Sequence, residues 1–574
     1  MTLAVCLACT VGTLIAYNLP PSATLFNQVA ALMAWGGLVV LPLAVSGAPR
    51  IDLGRAWSVL LALALLLGAA LASVLWTQLP LSLALHAAAL LAAAMALLLT
   101  GVGARASGRA ELLMTMLCLG WVLAGVLSAA IGGVQVFFPW LADGDWIARS
   151  GSAGRAISNM RQPNHLASLL MWSCVAVVWL GESRHLRRAV VWALLGLFVF
   201  TVVLSASRTG MLGVAMLAVW GLLDRKLSRS SRLVLLCAPL MLAASWLFMD
   251  IWAQQGAHAF GAASRLSKEG AGSPARLAIL ANAWALVKQY PLTGVGWGEF
   301  NLAWTMTPFP DRPIAFFDHT HNLPMQLMVE LGLPLSIAVM ALLGWALLRA
   351  FAATRSAIGM QAVALRCAFM MVLTIGLHSL LEYPLWYAYF LLPTALFLGL
   401  CLGSDSGDAI ETALDTRRHR LSLPSQILAA AGVAMVLAGV VTLLEYRKAV
   451  VIYAPPASAA PLEARIEVGQ HSVLFSTQGD YAAATTLSPG PVALAAAKRA
   501  AHNLIDVRLM MAWAQSLHAT GDDDRARYVV QRLKEFRNSQ AQEWLDECKA
   551  VPSGAARPFQ CDPPTREYSF KEMR

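Results

Sequence analysis

The sequence predicts an all-α integral membrane protein: about thirteen transmembrane helices, one large loop and a soluble helical C-terminal domain. Three observations carry this reading. Of 574 residues, 58% are hydrophobic and only 13% are charged, and the mean hydropathy is +0.62. A chain this long and this apolar needs many membrane spans of about 20 residues each. Its apolar residues fall in long runs, and no alternation over about ten residues suggests barrel strands, so helices must satisfy the backbone in lipid.

The predicted spans run over 2–19, 27–46, 56–76, 81–102, 112–138, 165–181, 189–204, 209–223, 233–252, 322–348, 362–380, 384–402 and 426–444. Met1–Leu19 lacks a basic leader and a cleavage site, and reads as a first span rather than a removed signal peptide. Loop charge orients the set. One alternating series of loops carries Arg50 and Arg55; Arg105 and Arg109; Arg184, Arg187 and Arg188; Arg225, Lys226, Arg229 and Arg232; Arg349, Arg355 and Arg366; and Arg417, Arg418 and Arg420. In the other series, two loops near Pro20 and Pro80 have neither Lys nor Arg. The positive-inside rule places the first series and the N-terminus in the cytoplasm. An odd number of spans then puts everything after Tyr446 outside. Residues 1–445 are thus the expected membrane domain, with a loop at 253–321, and 446–574 the expected soluble domain. The net charge of +10 follows from these loops and does not point to nucleic acid.

Every polar motif falls in an outward loop: 139–164, Ser205–Arg208, 253–321 and Glu382-Tyr383-Pro384. These loops also hold Arg149, Arg155, Arg161, Arg208, Arg265, Lys268, Arg276, Lys288 and Arg312, against the topological bias, which suggests an anionic ligand. Within 253–321, Ser273-Pro274-Ala275-Arg276 reads as a helix start with Pro in the first turn. Leu277, Leu280, Trp284 and Val287 follow at helical spacing, as expected of a helix at the membrane interface. Gly294-Val295-Gly296-Trp297-Gly298 reads as a flexible turn. In the tail, 495–519 and 523–548 read as two amphipathic helices resembling part of a tetratricopeptide unit. Its His502 and His518 are expected to be solvated, and its expected role is to present an acceptor or shield the site.

Seven of the nine cysteines lie in apolar spans, as small hydrophobes do. Cys548 and Cys561 lie in the outward tail, either bonded or as free thiols.

Ionisable groups clustered at a bilayer boundary mark a functional site. His321 follows Asp318 and His319 and precedes Asn322 at the entry to a span. A neutral imidazole there can act as a general base near pH 7; the alternative is a histidine that only hydrogen-bonds the start of a helix. A metal site on Asp318, His319 and His321 is a further reading, although side chains one and two apart converge poorly on a helix. Arg161, Arg208 and Arg276 each sit among small or polar residues, where a guanidinium fork suits phosphate; snorkelling to lipid headgroups is the other reading. The amides of Gln162 and Asn164, beside His165, either cap the next span or bind sugar hydroxyls. Glu382 and Tyr383 sit in a turn between spans. No nucleotide-binding motif is visible, so a donor would have to arrive already activated.

Taken in order, Arg161-Gln162-Pro163-Asn164-His165, Ser205-Ala206-Ser207-Arg208-Thr209-Gly210, Gly294-Val295-Gly296-Trp297-Gly298, His319-Thr320-His321-Asn322 and Glu382-Tyr383-Pro384-Leu385-Trp386 resemble the bacterial protein O-oligosaccharyltransferases, within the superfamily of O-antigen ligases and polymerases. The resemblance covers roughly 1–450, and the helical tail is more like the protein-glycosylating branch. It implies a GT-C-like, metal-independent glycosyltransferase of the bacterial inner membrane that needs no cofactor. Such an enzyme takes a glycan from undecaprenyl diphosphate on the periplasmic face and passes it to a protein hydroxyl, as in pilin, or to lipid A–core in the ligases. By position it assigns the essential histidine to His321. It assigns diphosphate contacts to Arg208 and Arg276, with Arg161 beside them, and polar substrate contacts to Gln162 and Tyr383. Asn164, His165, His319, Asn322 and Glu382 are the further substrate-binding candidates. A ligase or a polymerase is the competing expectation. A transporter is disfavoured, because the span interiors are nearly free of charge.

Overall fold

The computed structural model describes residues 2–46, 54–256, 258–269, 274–404, 423–549 and 557–574. Arg50, Ser273, Arg417, Arg418, Arg420, Pro552 and Gly554 lie outside the described residues. The described residues contain no strand, and the chain is an all-α, multi-pass membrane protein.

A helix occupies each of the thirteen predicted spans. Before the large loop these are α1 (Thr2–Leu14), α2 (Leu25–Ser46), α3 (Trp57–Trp76), α4 (Leu81–Ala106), α5 (Ala110–Phe137), α6 (Pro163–Glu182), α7 (Arg188–Ser205), α8 (Arg208–Leu223) and α9 (Arg229–Gly256). The loop contributes α10 (Gly261–Glu269), α11 (Pro274–Gln289) and α12 (Phe300–Met306). Then come α13 (Leu323–Ser356), α14 (Gly359–Ser379), α15 (Ala388–Leu402) and α16 (Leu423–Tyr453). Among the described residues, nine of the thirteen are long and apolar enough to cross a membrane. The others, α1, α8, α15 and the Leu25–Val40 part of α2, are shorter.

The tail folds as α17 (Leu462–Gln470), α18 (Ser476–Thr486), α19 (Pro491–Ala500), α20 (Val507–Ala519), α21 (Asp523–Lys534), α22 (Ser539–Asp546) and α23 (Phe570–Met573). Each of its two predicted helices is in fact a pair. Asp506 accepts a hydrogen bond from the Leu509 amide and Asn538 from the Gln540 amide. These N-caps start new helices where the apolar periodicity had looked continuous. Cys548 and Cys561 are joined by a disulfide, with Cα atoms 5.3 Å apart.

The chain forms two compact units. The first comprises Met1–Leu63, Leu90–Gly272 and Ala341–Val440; the second comprises Ala64–Ala89, Ser273–Met340 and Val441–Arg574.

In the first unit α6 is the hub. Its side chains from Asn164 to Leu180 are all buried, and α5, α7, α8 and α14 pack around it. Because lipid offers no hydrophobic drive between helices, close backbone approach does much of the packing. At Gly101 and Gly399 a Cβ would collide with the backbone near Leu396 and with that of Leu98, so α4 and α15 meet main chain to main chain.

The second unit has one continuous apolar core. Ile279, Phe300, Trp304 and Val329 share it with Ile466, Ala483, Trp513, Tyr528 and Phe536. The tail helices and the 273–340 segment are therefore one packed body. Pro274 opens α11 as expected, but its buried face is Ile279, Ala283, Leu286 and Val287. Leu277 and Trp284, which were expected on the apolar face with Val287, are exposed on the other side.

Candidate functional site

Seven of the predicted site residues lie in the first unit and four in the second. In the first unit the polar residues are laid out along α6 by helical periodicity. Asn164, Ser168 and Trp172, four residues apart, face α14 and its C-terminal turn. Asn164 Nδ2 donates to Glu382 Oε1 at 3.0 Å, Ser168 Oγ meets His378 Nδ1 at 2.8 Å, and Trp172 Nε1 donates to the Met371 carbonyl at 2.8 Å. All three are buried. Every buried polar group must find a partner, and this ladder pairs them off.

The ladder reaches the second arginine motif. Ser207 Oγ donates to Asn164 Oδ1 at 2.6 Å and accepts from the Gly210 amide, which makes it the N-cap of α8. Arg208, half-buried, is the first residue of that helix. The turn between α7 and α8 is short and strained, with Ala206 left-handed at φ 52°. Arg155 Nε donates to the Ser205 carbonyl at 3.0 Å and Arg265 Nη1 to the Ala206 carbonyl at 3.2 Å. Three arginines are thus gathered at one turn.

Gln162 caps α6: its Oε1 accepts from the His165 amide at 2.8 Å. Arg161 is left-handed at φ 57°, and its Nη2 donates to the Ala16 carbonyl at 2.7 Å. His165 is buried, with Tyr389 Oη on its Nδ1 at 3.0 Å and the Tyr387 ring against it. Tyr383, half-buried, stacks on Tyr387.

In the second unit His321 is held in a left-handed conformation, φ 56°, which a β-carbon disfavours. Its Nδ1 lies 3.1 Å from the His319 carbonyl. A carbonyl only accepts, so this contact calls for a proton on Nδ1; in a neutral ring Nε2 would then be the basic nitrogen. His319 pairs with Asp318 at 3.1 Å. Crowding by the surrounding chain works to raise the Asp318 carboxyl, but the hydrogen bond and charge of His319 outweigh it and hold it below the usual range. Asn322 is an N-cap: its Oδ1 accepts from the Met325 amide at 3.0 Å. Arg276, half-buried, sits in the first turn of α11.

A buried relay supports the histidine loop. Gln326 Oε1 accepts from the Thr320 amide at 2.8 Å, and Gln326 Nε2 donates to Glu330 Oε1 at 3.0 Å. The glycine turn is pinned here rather than flexible, because the Val295 and Gly296 amides donate to the Val329 and Glu330 carbonyls. The approach requires glycine at Gly294 and at Gly332, where α13 kinks: both have positive φ, and a Cβ on either would strike backbone.

Sequence reasoning missed Gln326, Glu330, Ser168, His378 and Tyr389. The available signal was a polar residue every fourth position in an apolar helix, at Asn164 and Ser168, and at Asn322, Gln326 and Glu330. It also misjudged His502, which is buried and pairs with the fully buried Glu299 at 2.6 Å. His518 is half-exposed, against Asp523.

Fold and site together define a polytopic all-α membrane protein whose polar motifs are built into helix caps and buried relays. Sequence profiles of three families match it: "Protein glycosylation ligase" over 156–180, "O-Antigen ligase" over 189–340, and "Virulence factor membrane-bound polymerase, C-terminal" over 367–547. Two curated relatives come from Acinetobacter baylyi. A general O-oligosaccharyltransferase is 28% identical over 257 residues, 43% of each chain. A ComP-specific O-oligosaccharyltransferase is 25% identical over 257 residues, 43% of this chain and 44% of its own. The match thus spans less than half the length of these relatives. The chain is thus similar, over parts of its length, to O-antigen ligases and to protein-glycosylating O-oligosaccharyltransferases.

Proposed function

We propose that the protein transfers a preassembled oligosaccharide from undecaprenyl diphosphate to Ser or Thr hydroxyls of proteins such as pilin. The reaction is assigned to the periplasmic face of the bacterial inner membrane, with the N-terminus cytoplasmic and the tail periplasmic. The observation that carries the reading is the contact of His321 Nδ1 with a main-chain carbonyl, which in the neutral ring leaves Nε2 to accept a proton, on a loop fixed by a buried polar relay. The names of the Acinetobacter baylyi relatives support it.

In this reaction the acceptor oxygen bonds to the anomeric carbon as the bond from that carbon to the diphosphate breaks. His321 Nε2 takes the hydroxyl proton, and the lipid diphosphate leaves with the bonding electrons. Arg208 and Arg276 stabilise the charge that develops on the leaving group. Arg161 adds positive charge while its Nη2 holds Ala16. Gln162 spends only its oxygen on the helix cap; among the described residues its amide NH₂ donates to nothing, which suits it to a sugar hydroxyl. His319, Asn322, Asn164, His165, Glu382 and Tyr383 complete the proposed substrate contacts, chiefly by orienting these groups.

The "O-Antigen ligase" profile favours a second reading, transfer to lipid A–core. Incubating the purified protein with lipid-linked glycan and either pilin or lipid A–core separates the two. Glycosylated pilin is expected. Product on lipid A–core alone replaces the first reading with the second, and product on neither removes both.

A further inference from the structure

The loop that carries His321 is braced by the tail. Arg312, on the segment between α12 and α13, is buried, and its Nε donates to Glu535 Oε2 at 2.7 Å. Its Nη2 also donates to the carbonyls of Thr305 and Thr307. The guanidinium lies over Trp304 at 4.5 Å, Phe536 at 4.9 Å and Phe309 at 5.3 Å. Glu535 pairs with a second buried arginine, Arg532, at 3.0 Å. One carboxylate thus serves two guanidiniums, and aromatic faces supply the remaining stabilisation of the cations.

From this socket a chain of rings leads to the histidine. Phe536 stacks on Phe316 with centroids 3.9 Å apart and planes 8° apart. The next residue, Phe317, stands edge-on to Trp304 at 5.9 Å and to His321 at 5.3 Å. Behind the socket, Trp304 Nε1 donates to Asn282 of α11, and Tyr528 Oη donates to the Met306 carbonyl.

The geometry points to Glu535 and Phe536, just after α21, as positioning residues that set the His321 ring for proton transfer. The tail then acts on turnover with any acceptor, instead of serving as a docking surface for protein acceptors. This inference rests on His321 being the base. Misplacing a reacting group by about 1 Å costs up to about 10²-fold in rate.

The test uses the full-length enzyme, donor lipid-linked glycan, and two acceptors: whole pilin and a short serine peptide cut from it. Phe536→Leu keeps apolar bulk but loses the stack. It should lower kcat about 10–100-fold with both acceptors, with KM and donor binding unchanged, while Phe536→Tyr restores kcat. A loss seen only with whole pilin, as a raised KM, overturns the inference in favour of docking. Unchanged kcat also overturns it. If Phe536→Leu does not fold, Arg312→Lys, which keeps the charge and loses the planar stack, is judged by the same criteria. His321→Ala run alongside tests the base itself: full activity there removes the base assignment, whereas an inactive His321→Ala with an unaffected Phe536→Leu removes only the brace.

Discussion

His321 combines three constraints at one residue: a left-handed backbone, an Nδ1–H given to a main-chain carbonyl, and a ring edge packed on Phe317. Strain of this kind costs about 1–3 kcal/mol and persists only where the surroundings over-determine it. As general base it should be worth about 10²–10⁴-fold in rate. His321→Ala is therefore expected to lose that much transfer while still binding donor, as measured by initial rates and by retention of labelled lipid-linked glycan. Near-normal rates would pass the role to His319. At the arginines, Arg208→Lys and Arg276→Lys keep charge but lose the planar fork. Each should impair turnover, and wild-type rates in both would rule out bidentate diphosphate contact.

At the scale of elements, both histidine motifs open a helix with an amide cap, and both continue as a polar stripe on an apolar helix. On α6 the stripe ties three segments together through Asn164, which bridges Ser207 and Glu382. Asn164→Leu takes one hydrogen bond from the buried Glu382 carboxylate and one from the buried Ser207 hydroxyl. A hydrogen bond contributes about 0.5–1.5 kcal/mol net, and about 1.5–3 kcal/mol when one partner is charged. A clear fall in melting temperature of the detergent-solubilised protein is expected; an unchanged melt would mean that the bridge contributes nothing. In the tail, Cys548 and Cys561 are 13 residues apart, and a loop of that size is worth about 3 kcal/mol when closed. Cys548→Ser should make the tail more sensitive to proteolysis without changing transfer by the folded enzyme. Equal resistance of the two proteins would show that the bond adds no stability.

For the molecule as a whole, the shared core of the second unit changes how the tail is tested. Removing everything after Tyr446 would strip Tyr528 and Phe536 from Trp304, Phe309 and Phe316, so lost transfer in such a truncation would not identify an acceptor-docking role. Orientation has a cleaner test. Val492, in the first turn of α19, is 67% exposed. In intact spheroplasts, a cysteine at Val492→Cys should react with a membrane-impermeant thiol reagent, since the positive-inside reading puts the tail in the periplasm. Labelling only after lysis would reverse the orientation and the assignment of every site above to the periplasmic face.

The membrane class, the helical nature of the thirteen apolar segments and the position of the Gln162, Arg208 and Asn322 motifs at helix starts were legible in the sequence. They depend on local quantities: the length of apolar runs, loop charge and capping residues such as Asn322. Helix breaks at Asp506 and Asn538 were legible in principle but hidden by apolar periodicity running across them. What joins distant residues was decided only by the tertiary structure. The Ser168–His378 rung spans 210 positions, Asn164–Glu382 218, and Arg312–Glu535 223. Burial of His502 against Glu299 likewise spans 203. A single sequence carries no local pattern for such pairs. Whether a polar side chain meets water, lipid or a partner is settled by which helix packs against it, and that choice is made by the fold.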